Sequence, residues 1–328
     1  WEKSLPAARQ AHQLNPDESI AFVALAVAYV GLGRFDEAKA TIDQGMAQKL
    51  DVPNFHRLLY SLAFVQNNPP AMERELSILA SKCPEATAIS YGLAAGTEAY
   101  GGRMEKARGF FERSRAAFEA NHTNEAAAEV LALLAMSEAA VGDALGARKN
   151  AEAALAINSS VHVKMNVANA FARAGDAGRA EALAAEIARE RPSDTLANGY
   201  EIPTIRATLA IHSNNPAKAV ELLQPVIGYD LSSSRAMGST YTRGNAYLAL
   251  HKGSEAAAEF QKIVDQPGVV LNAMTGALAK LGLARAYALE GDAAKARVAY
   301  QDFFALWKDA DPGVPILAAA KSEYAKLQ

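Results

Sequence analysis

Apolar residues recur at helical spacing along the whole chain of 328 residues. Runs with apolar or small residues at i, i+4 and i+7 alternate with short polar turns. This spacing indicates helices that each bury one face. Four such stripes are Ala38, Ile42, Gly45; Ala180, Ala184, Ile187; Ala256, Phe260, Ile263; and Ala296, Tyr300, Phe303. The pattern therefore predicts an all-α protein.

One unit of sequence repeats along the chain. An apolar run is followed by a glycine and a polar residue, and an alanine stands five positions after the glycine. Five complete copies and three degenerate ones start at Gly33, Asn67, Gly102, Gly142, Gly175, Asn214, His251 and Gly291, spaced by 33 to 40 residues. Each copy predicts a helix hairpin, in which helix A precedes the turn and helix B follows it.

The turn residues suit this hairpin. Glycine ends a helix by adopting a left-handed backbone conformation. Asp143, Asp176 and Asp292 follow the turn glycine, and an aspartate there accepts hydrogen bonds from the free N–H groups of the next helix. Pro84 and Pro192 stand where helix B should stop, since proline does not continue a helix. The sequence thus predicts both ends of the hairpin helices.

These repeats resemble the tetratricopeptide repeat (TPR) family, whose unit of 34 residues is a helix–turn–helix with small residues on both helices. The resemblance covers nearly the whole chain. It implies a right-handed superhelix of helix hairpins in which helix A lines the concave side. The chain departs from the family pattern at Met72, where alanine is expected, and at Arg206 and Arg243, where the family has a buried leucine.

The repeat register divides the chain into three parts within a single solenoid domain. Residues 1–15 are expected to be helix B of a truncated repeat, residues 16–309 eight hairpins, and residues 310–328 a capping helix. The apolar face of the cap comprises Ile316, Leu317, Ala320, Tyr324 and Leu327. Because the array starts inside a repeat, we expect a fragment of a longer protein. Residues 121–124, 193–202 and 266–275 form long connections, which are either tolerated loop insertions or a rim that contacts a ligand.

Composition narrows the functional classes. The chain has 72 alanines but only 7% aromatic residues, which fits many closely packed helices. The single Cys83 excludes a disulfide framework within the chain and a cysteine-rich zinc module. A net charge of −3 with both signs dispersed argues against nucleic-acid binding. The longest uncharged apolar stretch, residues 20–33, is too short to span a membrane, so no direct membrane insertion is expected.

No catalytic constellation emerges from the residues. The six histidines are scattered and predict neither a metal site nor a cofactor. Glu255 and Glu259 are i, i+4 neighbours and are expected on an exposed helix face. An enzyme with its site on the helical array is therefore the least favoured hypothesis.

The resemblance to the TPR family implies instead that a protein or peptide binds in the concave groove. Family clamps hold extended peptides through asparagine side chains and basic residues, and Asn169, Asn245 and Arg285 match that type and place. The candidate groove residues are Asn166, Asn169, Arg173, Thr208, Tyr241, Asn245 and Arg285.

The inward face of the first repeats has a different character. It is apolar or small at Val23, Val27, Gly92, Gly96, Ala132 and Met136. This face could accept a helix from a partner or from a second copy, so a homo-oligomer is an alternative. In the opposite case the superhelix closes on itself and covers this face.

The tail, residues 287–312, resembles the closing repeat of bacterial multidomain regulators that carry a serine/threonine kinase or a winged-helix domain ahead of a TPR array. This resemblance implies that the chain is the C-terminal sensor or scaffold of a signalling protein. The compartment stays open: it is cytoplasmic, or extracytoplasmic if the chain is the tail of a membrane-spanning kinase.

Overall fold

The computed structural model describes residues 1–231 and 236–327, and these residues form nineteen α-helices and no strand. The predicted all-α solenoid is confirmed. The helices are α1 (Ser4–Leu14), α2 (Ser19–Gly31), α3 (Phe35–Ala47), α4 (Pro53–Val65), α5 (Pro69–Lys82), α6 (Pro84–Tyr100), α7 (Met104–Ala120), α8 (Asn124–Val141), α9 (Ala144–Ile157), α10 (Val161–Arg173), α11 (Ala177–Glu190), α12 (Ile202–His212), α13 (Pro216–Leu223), α14 (Gly238–Ala249), α15 (Gly253–Val264), α16 (Pro267–Val270), α17 (Met274–Leu289), α18 (Ala293–Leu306) and α19 (Pro315–Ala325).

Eight successive helix pairs follow α1, from α2–α3 to α17–α18, and we number them units one to eight. Every turn start predicted from the sequence has positive φ, between 51° and 91°, including the non-glycine residues Asn67, Asn214 and His251. Asp143, Asp176 and Asp292 accept hydrogen bonds from the backbone N–H three residues on, at 2.9–3.3 Å. The predicted turns and caps are therefore confirmed.

Small residues bring the two helices of each pair together. The alanine five positions after the turn start is completely buried in seven of the eight units, as at Ala38, Ala180 and Ala296. The exception is Met72, which is half-buried. An alanine at this position lets the partner helix approach closely. The large side chains of the same stripes, such as Phe260 and Phe303, are also completely buried.

The long connections are more regular than predicted. Residues 121–124 hold no loop insertion, because the extra residues lengthen α6, α7 and α8 to 17, 17 and 18 residues. The connection before α12 contains a π-helix, Ala197–Glu201, which runs directly into α12. The connection before α17 contains the short α16.

Arg243 occupies the buried position where the family has leucine. Only 1% of it is exposed, and its guanidinium contacts two carboxylates, Asp230 and Glu259. The expectation that Glu259 lies on an exposed face is therefore wrong, since Glu259 is buried and compensates this charge. Arg206 is instead half-exposed and pairs with Glu181 on the surface.

The C-terminal repeat closes the superhelix against units that lie far away in sequence. One apolar cluster joins Phe111 and Leu134 of units three and four to Leu278 and Trp307 of unit eight. The indole Nε1 of Trp307 donates to the carbonyl of Tyr100 at 2.9 Å. Unit eight thus closes the solenoid against units three and four.

Three further contacts belong to this closure. Asp311 accepts from the backbone N–H of Glu105 at 2.7 Å and so caps α7 from another unit. The amide of Asn272 donates to the carbonyl of Leu93 and to Thr97 of α6, at 3.1 and 3.0 Å. Trp1 packs on the apolar cluster of units seven and eight.

Helix α19 covers the end of unit eight with its predicted face. Leu317 and Ala320 are buried there, and Ile316, Tyr324 and Leu327 pack around them. The helix also contacts α8 of unit four. It therefore takes part in the closure in addition to covering the last repeat.

Candidate functional site

The closed superhelix leaves a central cavity of about 320 Å³ on its concave side. One wall comes from helix A of units three to six, namely α6, α8, α10 and the π-helix with the start of α12. The facing wall is the segment from Asn272 to Thr275, together with Ala236 and Gly238 of unit seven. The volume lies at the lower end of the range that is usual for small-molecule sites.

Arg173 is the cation among the described residues that line this cavity. It stands at the end of α10, and its guanidinium lies 5.8 Å from the centre of the Tyr241 ring. Its Nε is enclosed and has no hydrogen-bond partner, and among the described residues Arg173 forms no ion pair. Burial lowers the pKa of the Arg173 guanidinium, and the field of Tyr241, Tyr200 and Glu201 partly opposes this shift. Since arginine keeps its proton in proteins, Arg173 brings a positive charge to the lining, beside the buried carboxylate of Glu201.

Amides and a carboxylate lie beside this cation. The side-chain amide of Asn169 donates to Glu201 at 3.0 Å and to the carbonyl of Met165 at 3.1 Å, so its donors are engaged and its oxygen is left to accept. Glu201 is buried in the π-helix. Asn166, one turn earlier on α10, also lines the cavity and is half-buried.

The rest of the wall is largely apolar. It is built by the side chains of Leu93, Phe111, Met136, Ala140 and Met274. The hydroxyls in the lining are satisfied within the chain: Thr204 donates to the carbonyl of Tyr200 at 2.7 Å, and Thr275 donates to the carbonyl of Ala236 at 2.7 Å. The described lining therefore places two charged side chains, Arg173 and Glu201, beside a largely apolar surface.

The structure brings three of the seven candidate groove residues, Asn166, Asn169 and Arg173, into the lining of this cavity. The other four lie outside it. The Thr208 hydroxyl is buried and donates to the carbonyl of Thr204 at 3.0 Å. Tyr241 packs edge-on against Phe260.

Arg285 already has a carboxylate partner within the chain. Its guanidinium binds Glu323 of α19 through two bonds of 2.9 and 3.0 Å, and Tyr300 donates to the same carboxylate at 2.8 Å. Asn245 is half-buried and does not line the cavity. A ligand-binding role for these residues stays a prediction.

Two expectations for the inward face need correction or extension. Ala132 was expected to face the groove but is completely buried between helices. The wall from Asn272 to Thr275 was not identified from the sequence, because it meets α6 only through the closure. Tyr200 and Glu201 were also missed, since the π-helix that presents them looked like a loop insertion.

A carboxylate–histidine group lies outside the cavity. The ligand atoms of Glu125, Glu129 and His162 fall within 4.8 Å of one another, at the junction of units four and five. This group was not anticipated, because His162 lies on α10, far in sequence from Glu125 and Glu129 on α8.

Among the described residues, no helix is both long and apolar enough to cross a membrane.

Comparisons with known proteins agree with the repeat architecture. Models of the tetratricopeptide repeat match residues 1–62 and 277–302 and support a TPR family. No curated protein matches the chain by sequence.

Solved structures extend the comparison to the fold. The human IFIT1 dimer with m7Gppp-AAAA is 16% identical, with 95% of this chain and 73% of that chain covered and a TM-score of 0.54. A monomeric IFIT1 mutant with the same ligand is 15% identical, with 94% and 73% covered and a TM-score of 0.53. The APC/C hetero-tetramer Cut9–Hcn1 is 14% identical, with 95% and 56% covered and a TM-score of 0.48. The likeness to IFIT1 shows a common superhelical fold.

Proposed function

We propose that this chain is a non-catalytic interaction scaffold that takes a short segment of a partner protein into its central cavity. The observation that carries the proposal is Arg173, an enclosed cation without an ion-pair partner in a cavity on the concave side. A buried charge that lacks a partner is unfavourable, and a ligand that supplies the opposite charge removes this penalty. Asn166 and the oxygen of Asn169 are placed to contact the backbone of the same segment.

Other functional classes have less support. The described residues that line the cavity include no cysteine, no histidine and no set of metal ligands, so we do not propose an enzymatic function for this cavity. The likeness to IFIT1 concerns the fold alone. With a net charge of −3 and Arg173 as the cation of the described lining, we do not propose that this chain binds capped RNA.

The biological setting is proposed on sequence resemblance. Residues 287–312 resemble the last repeat of bacterial multidomain regulators, which supports a role as the sensor or scaffold of a signalling protein. Self-association through the apolar inward face would require the closure to open, because α17 and Asn272 now contact α6.

A display library of random short peptides tests the proposed function without knowledge of the partner. We expect enriched peptides to bind the wild-type chain and to lose binding to Arg173→Gln. Arg206→Gln is the matched control, because Arg206 lies on the surface and pairs with Glu181. Enriched peptides that bind Arg173→Gln as well as the wild type would contradict the proposal, and so would a library that yields none.

A further inference from the structure

The chemistry of the cavity is more specific than that of a general peptide groove. A cation without an ion-pair partner lies on one wall, and the Leu93, Met136 and Met274 side chains form an apolar surface around the remaining space. Arg173 is the cation in the described lining, so this site complements a molecule with one anionic end and a hydrocarbon body.

The size of the cavity limits that molecule. A volume of about 320 Å³ lies at the lower end of the range for small-molecule sites, so the cavity suits a small ligand. Asn272 bonds to Leu93 and Thr97, and these two hydrogen bonds hold one wall of the cavity against α6. A compact free molecule fits a cavity of this size and wall.

The polar groups around the cavity specify the anionic end. Arginine pairs with a carboxylate through parallel N–H···O bonds, and the free N–H of Arg173 is available for such a bond. The nearby Glu201 carboxylate is engaged by Asn169 and disfavours a ligand with several negative charges. A monovalent anion suits this arrangement better than a phosphate with two charges.

We propose that the central cavity binds a small free monocarboxylic acid with an aliphatic body, and that Arg173 pairs with its carboxylate. This inference goes beyond the proposed function, because it concerns a free molecule in place of a partner segment. Each of the two can fail without the other. If the chain binds the acid but no displayed peptide, it is a small-molecule receptor and the proposed function is wrong. If it binds displayed peptides but not the acid, the proposed function stands and the acid is not the ligand.

Isothermal titration of the full chain with sodium octanoate, which has ten non-hydrogen atoms, tests the proposal. We expect saturable binding with one site per chain. Octanamide, which has the same body without the charge, should bind about 10- to 100-fold more weakly, the effect of losing one charged hydrogen bond. Acetate, which lacks the body, should give no measurable binding. Equal affinity for octanoate and octanamide would overturn the proposal, as would the absence of saturable octanoate binding.

Two variants separate binding in the cavity from binding at the surface. Arg173→Gln should lose octanoate affinity by the same 10- to 100-fold, while Arg206→Gln should keep it. Ala140→Leu fills part of the cavity from α8 and should also weaken octanoate. Circular dichroism checks that each variant is folded. If Arg173→Gln is unfolded, Arg173→Lys takes its place and should bind octanoate more weakly than the wild type, because lysine lacks the parallel pair of N–H donors. Unchanged octanoate affinity in both Arg173→Gln and Ala140→Leu would place the acid elsewhere and refute the assignment.

A short peptide tests the choice of a free acid. An acetylated Ala-Ala-Leu tripeptide with a free C-terminus offers the same carboxylate on a larger and more polar body. We expect it to bind more weakly than octanoate. Tighter binding of the tripeptide, lost when its C-terminus is amidated, would identify a chain terminus as the ligand and contradict the free acid.

Discussion

Replacement of Arg243 by leucine, the residue that the family places at this position, tests how unit seven is stabilised. The Arg243 guanidinium contacts Glu259 through Nε at 2.9 Å and through a terminal nitrogen at 2.7 Å, and it also contacts Asp230. The side chains of Asp230 and Glu259 are only 11% and 9% exposed. Arg243→Leu would therefore leave two buried carboxylates without their main cation.

The free energy follows from what each carboxylate keeps. Removal of one partner from a buried ion pair costs about 3–5 kcal/mol. Glu259 retains Lys262 at 2.7 Å, and Asp230 retains the Ser239 hydroxyl at 2.9 Å. We therefore expect the lower end of the range, a loss of about 3 kcal/mol in the free energy of unfolding.

Guanidinium denaturation followed by far-ultraviolet circular dichroism measures this loss. Arg206→Leu is the control, since its exposed pair with Glu181 contributes about 0–1 kcal/mol. The combination of Arg243→Leu with Asp230→Asn and Glu259→Gln should recover most of the stability, because it removes the buried charges together. If Arg243→Leu loses no more unfolding free energy than Arg206→Leu, the ion pairs of Arg243 with Asp230 and Glu259 do not stabilise the chain.

Three further predictions address the repeat itself. Ala180→Leu should overpack the contact between helices and cost about 1–3 kcal/mol in denaturation, whereas Leu at the exposed Ala177 should be nearly neutral. Asp176→Ala should cost about 1 kcal/mol through loss of the cap. Hydrogen bonding to Arg179 lowers the pKa of Asp176, so the ionised Asp176 carboxylate stabilises the fold fully above about pH 4 and loses this effect as the pH falls further. The difference in unfolding free energy between Asp176→Ala and the wild type, measured as a function of pH, tests this dependence. Gly102→Ala should destabilise more than Gly33→Ala in thermal unfolding: both have φ near +70°, but a Cβ at Gly102 would lie 2.7–2.8 Å from atoms of unit eight, and one at Gly33 meets nothing. Equal losses for this last pair would show that the closing contact carries no stability.

The local features of the fold were predictable because they depend on neighbouring residues. The left-handed turns at Gly33 and Asn67 and the cap at Asp176 each follow from one short segment. The buried alanines follow from a period that persists over eight units. Such signals require no knowledge of contacts between distant units.

The closure and the cavity lie beyond this kind of signal. The contact of Trp307 with Tyr100 spans 207 positions, and the sequence of neither repeat indicates that the two repeats meet. Glu259 appears exposed in the pattern because its partner, Arg243, belongs to the preceding helix of the hairpin. The sequence therefore indicated Arg173 as an inward residue but could not predict the wall that encloses it.

An engineered disulfide between α6 and Asn272 tests whether unit eight closes the superhelix beside the cavity. An ideal Cβ at Gly96 lies 3.5 Å from the Cγ of Asn272, which is the place a cysteine sulfur would take. In a Cys83→Ser background, the pair Gly96→Cys and Asn272→Cys should therefore form an intramolecular disulfide under mild oxidation, measured by mass spectrometry after thiol alkylation. The control pair, Gly96→Cys with Gly178→Cys, should keep free thiols, because a Cβ at Gly178 meets no atom within 4 Å. We expect the thiols at positions 96 and 272 to be protected from alkylation, and two alkylated thiols there would contradict the closed superhelix.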